Sequence, residues 1–324
     1  MPSQKNRVRT IACVGAGTIG GSWAVLFAGK GIDVILHDIN EDSLNLAKKA
    51  ATQSLRGLVK FHLLSKSAAE VAVRRISYTM DLKAAVSSAD YVQECVPEHM
   101  PLKRKIFREI SSNAHRDAVI ASSSGGFSPS EIQSAAFVPS RCLVVHPCQI
   151  PVHLTRLVEI VPGRLTNPSA VRAANDLMKQ VGKRPILVKH EVQDYITNRL
   201  QFTLWREALD MVGRGIASAE DVDTALCEMA RASTCIGLGP FLQAHLHGGP
   251  HGQGEIEAAL KYYSMILPDT WRSLAKWSKI PRPVLSNVRG SVREFVRKRG
   301  LTASQMIRRR DRQLMDVARS VWCG

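Results

Sequence analysis

The sequence predicts an α/β Rossmann-type doubly wound sheet followed by an all-α C-terminal domain. Three observations lead to this fold class. Short β-prone runs alternate with helical segments up to about residue 190, a glycine-rich turn joins the first run to the first helix, and strand signals vanish from about residue 191. A chain of 324 residues is about twice the usual size of a domain. We therefore expect two domains, residues 1–190 and 191–324.

The first predicted unit is a strand, a glycine turn, a helix and a second strand. A β-prone run at residues 9–14 leads directly into Gly15-Ala16-Gly17-Thr18-Ile19-Gly20, which matches GxGxxG. An apolar helical stretch follows, and then a second strand at residues 32–36 that is closed by Asp38, 18 residues after Gly20. Motif and flanking elements together are typical of a dinucleotide-binding βαβ unit.

Each residue of the turn has a physical role in holding a dinucleotide. Gly15 permits the tight turn, Gly17 lets the backbone approach the pyrophosphate, and Gly20 allows the helix to pack closely on the strand. Thr18 and Ile19 lie in the first helical turn, whose free N–H groups and positive dipole end attract an anion. The alternative is a glycine turn that serves only packing.

Asp38 indicates whether the expected cofactor is NAD or NADP. A carboxylate at the end of the second strand would accept hydrogen bonds from the adenosine ribose hydroxyls and repel a 2′-phosphate. The predicted cofactor is therefore NAD rather than NADP.

The rest of the first domain continues the alternation of strands and helices. Glu98 ends the strand run at residues 89–98, and ligands bind beyond the carboxyl ends of strands in such sheets, so Glu98 is expected on the nicotinamide side. It could equally be the exposed end of a loop. The other predicted elements are strands at 76–79, 118–121, 141–146 and 157–161, a helical stretch at 41–73 and helices at 82–87 and 102–111.

The second half contains helical segments alone. Their predicted ranges are 195–211, 219–230, 255–266, 270–279 and 283–299. No run of about 18 apolar residues exists, so no membrane partner is expected. The seven cysteines are scattered and lack metal-binding spacing, which predicts free thiols, no metal and a cytoplasmic location.

The charge is strongly basic and concentrated at the C-terminus. The formal net charge is +16, and residues 276–324 hold 13 Lys and Arg against 3 acidic residues. Such a segment could contact an anionic substrate, a nucleic acid or a membrane, but charge runs are usually solvated helical faces. Nucleic acid is disfavoured because no reader motif accompanies the charge.

Beyond the glycine turn, several segments resemble the 3-hydroxyacyl-CoA dehydrogenase family, and most closely its L-gulonate 3-dehydrogenase (lambda-crystallin) branch. The resemblance covers nearly the whole chain. It is carried by the glycine turn, Val-Pro-Glu before residue 99, the Ala-Ser-Ser loop, Val145-His146-Pro147, Leu157 to Val161, Tyr195 to Leu200, Gly239-Pro240-Phe241 and His245-Leu246.

His146 and Glu159 are the predicted catalytic pair. His146 ends one strand and Glu159 lies on a returning strand, so a hairpin could bring imidazole and carboxylate together. In oxidation His146 would take the proton of a substrate hydroxyl, and Glu159 would fix its tautomer and stabilise the imidazolium. The resemblance implies the same two roles.

The resemblance also implies roles for two further residues. Asn198 matches an asparagine beside the catalytic histidine and the substrate, and Lys103 matches a lysine close to the cofactor. The alternatives are a helix N-cap for Asn198 and an exposed helical lysine for Lys103.

Three features depart from the family pattern. The family carries a serine that contacts the substrate oxygen where this chain has Gly125, although Ser124 is adjacent and could substitute. It carries an asparagine where this chain has Gln149, whose longer amide could still donate. The spacing from His146 to Glu159 is 13 residues, one more than expected. Loss of one donor to developing charge commonly costs about 10²- to 10³-fold in rate.

Three functional hypotheses follow. The leading one is an NAD-dependent oxidoreductase that oxidises the secondary alcohol of a small 3-hydroxy acid or acyl substrate, or reduces the matching ketone, with or without a thioester. The second is a reassigned member that catalyses dehydration, proton abstraction or cyclisation. The third is a non-catalytic, crystallin-like binding protein. A homodimer formed by the helical domain is implied by the resemblance.

Overall fold

The computed structural model describes residues 8–236 and 256–322. The chain divides into two compact units, one of residues 1–199 with 304–324 and the other of residues 200–303. The C-terminal helix thus belongs to the same unit as the sheet. The segments at Gly239-Pro240-Phe241 and His245-Leu246 lie outside the described residues.

The first unit contains an eight-stranded sheet, which confirms the predicted fold class. Its spatial order is β3-β2-β1-β4-β5-β6-β7-β8, and every neighbouring pair is parallel except β6 and β7. The strands are β1 Thr10–Val14, β2 Asp33–His37, β3 Ile76–Thr79, β4 Tyr91–Glu94, β5 Val119–Ser122, β6 Cys142–Pro147, β7 Leu157–Pro162 and β8 Arg184–Leu187.

Helices connect the strands and make up the second unit. In chain order they are α1 Thr18–Gly29, α2 Glu41–Lys60, α3 Lys66–Arg74, α4 Leu82–Val86, α5 Met100–Asn113, α6 Pro129–Gln133, α7 Pro168–Gln180, α8 Thr197–Gly213, α9 Ala219–Ile236, α10 Ile256–Ser273, α11 Arg282–Arg299 and α12 Ala303–Trp322. Among the described residues, no helix is both long and apolar enough to cross a bilayer.

The sheet is buried on both faces. Along β1, Ile11 and Cys13 join one apolar cluster, whereas Ala12 and Val14 join another. Strands covered by helices on both faces read as continuous apolar runs instead of alternating ones. This explains why the β-prone run before the glycine turn carries no polar residue after Thr10.

The strand order places a crevice at the end of β1. This strand pairs with β2 on one side and with β4 on the other. Strands β2 and β3 therefore extend the sheet in one direction, and the strands from β4 onward extend it in the opposite direction. Ligands of doubly wound sheets bind at such a switch point, beyond the carboxyl ends of the strands. The loops after β1 and β4 therefore define where a cofactor binds.

The predicted helix at 270–279 is wrong. Helix α10 continues through residues 267–270 and ends at Ser273. The following segment is held by side chains of α8: the Ala275 N–H donates to Glu207 at 2.8 Å, and the Trp277 indole donates to Asp210 at 3.1 Å. The Ala275 N–H and the Trp277 indole thus bond to side chains of α8 instead of helical carbonyls. Helical propensity contains no information about such contacts.

Neighbouring glycines in α1 provide a matched test of the packing between α1 and the turn. A Cβ on Gly20 would lie 1.8 Å from the Gly15 carbonyl oxygen, whereas a Cβ on Gly21 would meet only the Ala47 methyl at 3.9 Å. We expect Gly20→Ala to reduce the free energy of unfolding by at least about 3 kcal/mol, because backbone cannot move aside easily.

Gly21→Ala is the control. Alanine is the better helix former by about 0.8–1.0 kcal/mol, so this variant should be as stable as the parent or more so. Urea unfolding of both variants without cofactor gives the comparison. Equal stability of the two variants would contradict the inferred close approach.

Candidate active site

The glycine turn after β1 is shaped by close backbone contacts. Gly15 has φ +103°, and a Cβ there would lie 2.8 Å from the carbonyl carbon and oxygen of Cys95 in the loop after β4. The Gly15 N–H also donates to the His37 carbonyl at 2.8 Å. Only glycine combines this φ with this approach. The turn is thus fixed to both neighbouring strands.

The start of α1 leaves space and donors for an anion. A Cβ on Gly17 would meet nothing within 4 Å. Gly17 is the N-cap of α1, no side chain caps the helix, and its first turn carries no acidic residue. Free N–H groups and the helix dipole therefore face open space beside Thr18 and Ile19, as a pyrophosphate requires.

Asp38 lies at the adenosine end of this space. One oxygen of its carboxylate accepts from the Ala16 N–H at 2.8 Å and the other from the Asn40 N–H at 3.1 Å. These two bonds orient the carboxylate beyond the end of β2. It stands where ribose hydroxyls are bound in this class of fold.

A single cavity joins the predicted cofactor residues. It has a volume of about 660 Å³ and is lined, among others, by Gly15, Gly17, Thr18, Ile19, Asp38, Glu98 and Lys103. The open position at Gly17, the uncapped helix and the ribose-side carboxylate fit NAD. The structure thus brings together the predicted cofactor-binding residues, of which Gly20 contributes through packing alone.

Lys103 is a buried ammonium rather than an exposed helical lysine. Its side chain is 1% exposed, and Nζ lies 2.9 Å from Glu94 Oε1 and 3.2 Å from Glu98 Oε2. Burial lowers the pKa of Lys103, but the carboxylates of Glu94 and Glu98 outweigh it and raise the pKa above its usual value. The lysine therefore stays charged at neutral pH and fixes the loop after β4.

Glu94 is the buried partner that sequence reasoning missed. It accepts from Ser122 Oγ at 2.5 Å and from the Val96 N–H at 2.7 Å, in addition to Lys103. The signal was present, because Glu94 ends a strand beside the switch point. The sequence pattern pointed instead to Glu98, which lies four residues further on, in the loop after β4.

Ser124 is engaged with the cofactor side of the site. Its hydroxyl donates to Glu98 and accepts from the Phe127 N–H at 3.1 Å. The side chain of Glu98 remains 46% exposed. Ser124 and Glu98 thus form one hydrogen-bonded pair at the edge of the cavity.

His146 and Glu159 lie side by side on neighbouring strands. They are directly paired in the antiparallel ladder of β6 and β7, and both are buried. One oxygen of Glu159 accepts from the Ile196 and Thr197 N–H groups at 2.9 and 2.8 Å, where α8 begins. The start of α8 therefore fixes the position of the carboxylate.

The remaining polar atoms of this pair are unused. Within the described part of the chain, both ring nitrogens of His146 lack a hydrogen-bond partner, and so does the second oxygen of Glu159. Burial lowers the pKa of His146, and the Glu159 carboxylate opposes this only in part. The imidazole is therefore neutral at pH 7 and able to accept a proton.

Gly125 lies directly against His146 and Asn198. A Cβ on Gly125 would be 3.0 Å from His146 Cε1 and 3.1 Å from Asn198 Nδ2. Asn198 donates from Nδ2 to the Gly125 carbonyl at 2.8 Å. A side chain at position 125 would thus enter the site itself, where this chain has none.

Gln149 differs from Gly125 in its exposure to solvent. It is exposed in the loop after β6. Two other residues near His146 were missed by sequence reasoning: Cys148 is buried two positions beyond it, and the Tyr195 ring lies 5.9 Å from its ring. The Tyr195 contact arises from tertiary packing, whereas Cys148 follows His146 by two positions and its spacing gave no sign of a role.

A dinucleotide cradle and a buried histidine paired with a carboxylate, both in one unit, are typical of NAD-dependent dehydrogenases. The comparisons agree. The model of the 3-hydroxyacyl-CoA dehydrogenase NAD-binding domain matches residues 10–192, and that of the family's C-terminal domain matches residues 195–283. The chain belongs to the 3-hydroxyacyl-CoA dehydrogenase family.

Its curated relatives include L-carnitine dehydrogenases, a related branch of this family. The protein of Nocardiopsis dassonvillei is 36% identical over 97% of this chain and 92% of its own length. That of Streptomyces coelicolor is 32% identical over 99% and 96%. A solved NAD⁺-dependent dismutase, 5-formyl-3-hydroxy-2-methylpyridine 4-carboxylic acid 5-dehydrogenase, superposes with a TM-score of 0.74 at 27% identity over 97% of this chain and 98% of that one.

Replacement of Lys103 tests the buried charge network. Lys103→Met leaves Glu94 buried without its counter-ion, so we expect a loss of about 3–5 kcal/mol in the free energy of unfolding at neutral pH. The control is Lys105→Met, because that side chain is 74% exposed and its change should cost less than about 0.5 kcal/mol.

The pH dependence of this loss has a defined sign. Burial already raises the pKa of Glu94, against the opposing charge of Lys103. Without Lys103 the folded protein retains the Glu94 proton, whereas the unfolded chain releases it. The destabilisation should therefore grow from about pH 5 to about pH 8 in urea unfolding. A loss that is independent of pH would contradict the ion pair.

Proposed function

We propose that this dehydrogenase oxidises the secondary alcohol of a small 3-hydroxy acid or acyl substrate, or reduces the matching ketone. His146 is the general base in oxidation, and Glu159 is the positioning residue. Bound NAD supplies the acceptor for the hydride that leaves the alcohol carbon. The observation that carries the proposal is a neutral, buried imidazole with free ring nitrogens directly opposite a carboxylate held by a helix start.

The proton path follows from these contacts. The substrate hydroxyl gives its proton to His146, and the resulting imidazolium is stabilised by the Glu159 carboxylate. Because Glu159 is already fixed through one oxygen, the other stays available to the imidazole side. In ketone reduction the same imidazolium returns the proton to the oxygen.

Asn198 is the polar side chain best placed to contact the reacting oxygen. One hydrogen of its amide is used by the Gly125 carbonyl. The second hydrogen remains for the substrate. Gln149 and Ser124 are weaker candidates, since Gln149 is exposed and the Ser124 hydroxyl donates to Glu98.

L-carnitine heads the substrates to be tried. It is the substrate named for relatives at 32–36% identity over nearly full length, and it is itself a 3-hydroxy acid. Matched assays with L-carnitine and 3-hydroxybutyrate separate a requirement for its ammonium group from recognition of the hydroxy acid alone. Acyl-CoA forms of the same acids test for a thioester.

The helical second unit is proposed as the substrate and dimerisation region. Large apolar side chains are exposed there, including Trp205, Met265 and Trp271. Solvent-exposed apolar surface of this kind favours a partner surface, and a homodimer is what the family resemblance implies. The reduced cysteines at 13, 95, 142, 148 and 227 support a cytoplasmic location.

Replacement of His146 tests the assignment of the base. His146→Ala should lower substrate-dependent formation of NADH by about 10²- to 10⁴-fold, because the proton acceptor is lost. Binding of NADH, followed by its fluorescence, should be unchanged. Retained turnover would contradict the role of His146, and lost NADH binding would show that the variant disturbs the cradle instead.

Two substitutions at Gly125 isolate the missing hydroxyl. Gly125→Ser and Gly125→Ala place the same Cβ against His146 and Asn198, so both require the same small shift. They differ only in the donor. We expect the serine variant to turn over about 10²-fold faster than the alanine variant. Equal rates would show that an oxygen at this position does not contact the reacting group.

A further inference from the structure

Three metal-ligating side chains converge at the end of β6. One ligand atom each of His146, Cys148 and Glu159 lie within 4.8 Å of one another, and all three residues are buried. No sequence spacing indicated this cluster, since the alternation along β6 and the ladder to β7 create it. The NAD cradle does not use Cys148.

Most ligand atoms of the cluster are unused. Both ring nitrogens of His146 and one oxygen of the wholly buried Glu159 have no hydrogen-bond partner among the residues described. Cys148 Sγ accepts from the Thr197 hydroxyl at 3.3 Å and donates to the His146 carbonyl at 3.8 Å, so it can bind a metal once the thiol proton is lost. Buried polar atoms without partners are rare and point to a ligand.

The chemistry of the three donors selects the ligand. Imidazole nitrogen, thiolate sulfur and carboxylate oxygen are the three donor types that Zn²⁺ takes in proteins. One thiolate and one carboxylate balance the two charges of the ion, so a neutral site forms in a buried environment. Mg²⁺ and Ca²⁺ prefer all-oxygen sites and do not match this set.

We propose that Zn²⁺ binds between His146, Cys148 and Glu159 and reversibly inhibits the enzyme. Binding needs only these three side chains, with the thiol losing its proton to solvent. The inhibition rests on the proposed function, because a neutral imidazole that coordinates zinc through the nitrogen facing Glu159 carries its hydrogen on the other nitrogen and has no lone pair left for the substrate proton. The fourth position of the ion remains for water.

Binding is tested without turnover. The reduced full-length protein is titrated with Co²⁺, and its visible absorption is recorded, with Mg²⁺ as the control ion. We expect one equivalent to produce the intense bands of tetrahedral cobalt with a thiolate-to-metal band, and Zn²⁺ to displace it. Cys148→Ser should lose the thiolate band and weaken binding at least about tenfold.

The matched control is Cys227→Ser, which removes an exposed thiol of the second unit. It should bind as the parent does. Loss of the band in Cys227→Ser, its persistence in Cys148→Ser, or no band in the parent would each overturn the site. Glu159→Gln supplies a second variant should Cys148→Ser fold poorly, and it should also weaken binding.

Inhibition is measured on the enzyme saturated with NAD. Zn²⁺ should abolish turnover, and a chelator should restore it. Cys148→Ser, measured against its own metal-free rate, should tolerate at least about tenfold more Zn²⁺. Unchanged turnover with the site filled would overturn the inhibition. Absence of turnover without metal would instead count against the proposed function, while the cobalt titration still decides the site.

Discussion

The pairing of β1 with β4 is the constraint on which the site depends. It brings the Cys95 peptide so close to Gly15 that no Cβ fits between them, and it opens the crevice between the loops after the two strands. The helix start at Gly17 then has free donors toward that crevice. Lys103, which fixes the loop after β4, is itself held by the carboxylates of Glu94 and Glu98. Cofactor binding is thus built on backbone packing and on one buried ion pair.

The substrate side follows a different principle. Where the cofactor side satisfies its buried charges through several hydrogen bonds, His146 keeps both ring nitrogens without a described partner. Unused donors and acceptors are costly in a folded protein. Such a cost is typical of sites that exchange protons or bind a ligand. The neighbouring Cys148 adds a soft donor to the same site, so the proposed base and the proposed zinc ligands belong to one cluster.

Gly125 and Gln149, the two residues that depart from the family pattern, differ in their surroundings. Gly125 adjoins His146 and Asn198 directly, so the loss of a side chain there changes the space and the donors around the reacting atoms. Gln149 is exposed, so its effect depends on the substrate loop. The structure therefore keeps the proposed base, its carboxylate and the Asn198 amide together, with no side chain at position 125 beside them.

The sequence by itself determined the fold class and the NAD cradle, because strand, glycine turn, helix and acid follow one another within about thirty residues. It also singled out His146 and Glu159 on separate strands. Only the tertiary structure decided the rest. The register of β6 and β7 set His146 opposite Glu159, burial of Lys103 brought its ammonium to Glu94, and packing placed Gly125 beside the imidazole and Cys148 in the same cluster. Some of these residues are close in the sequence, but local spacing does not show where their side chains meet.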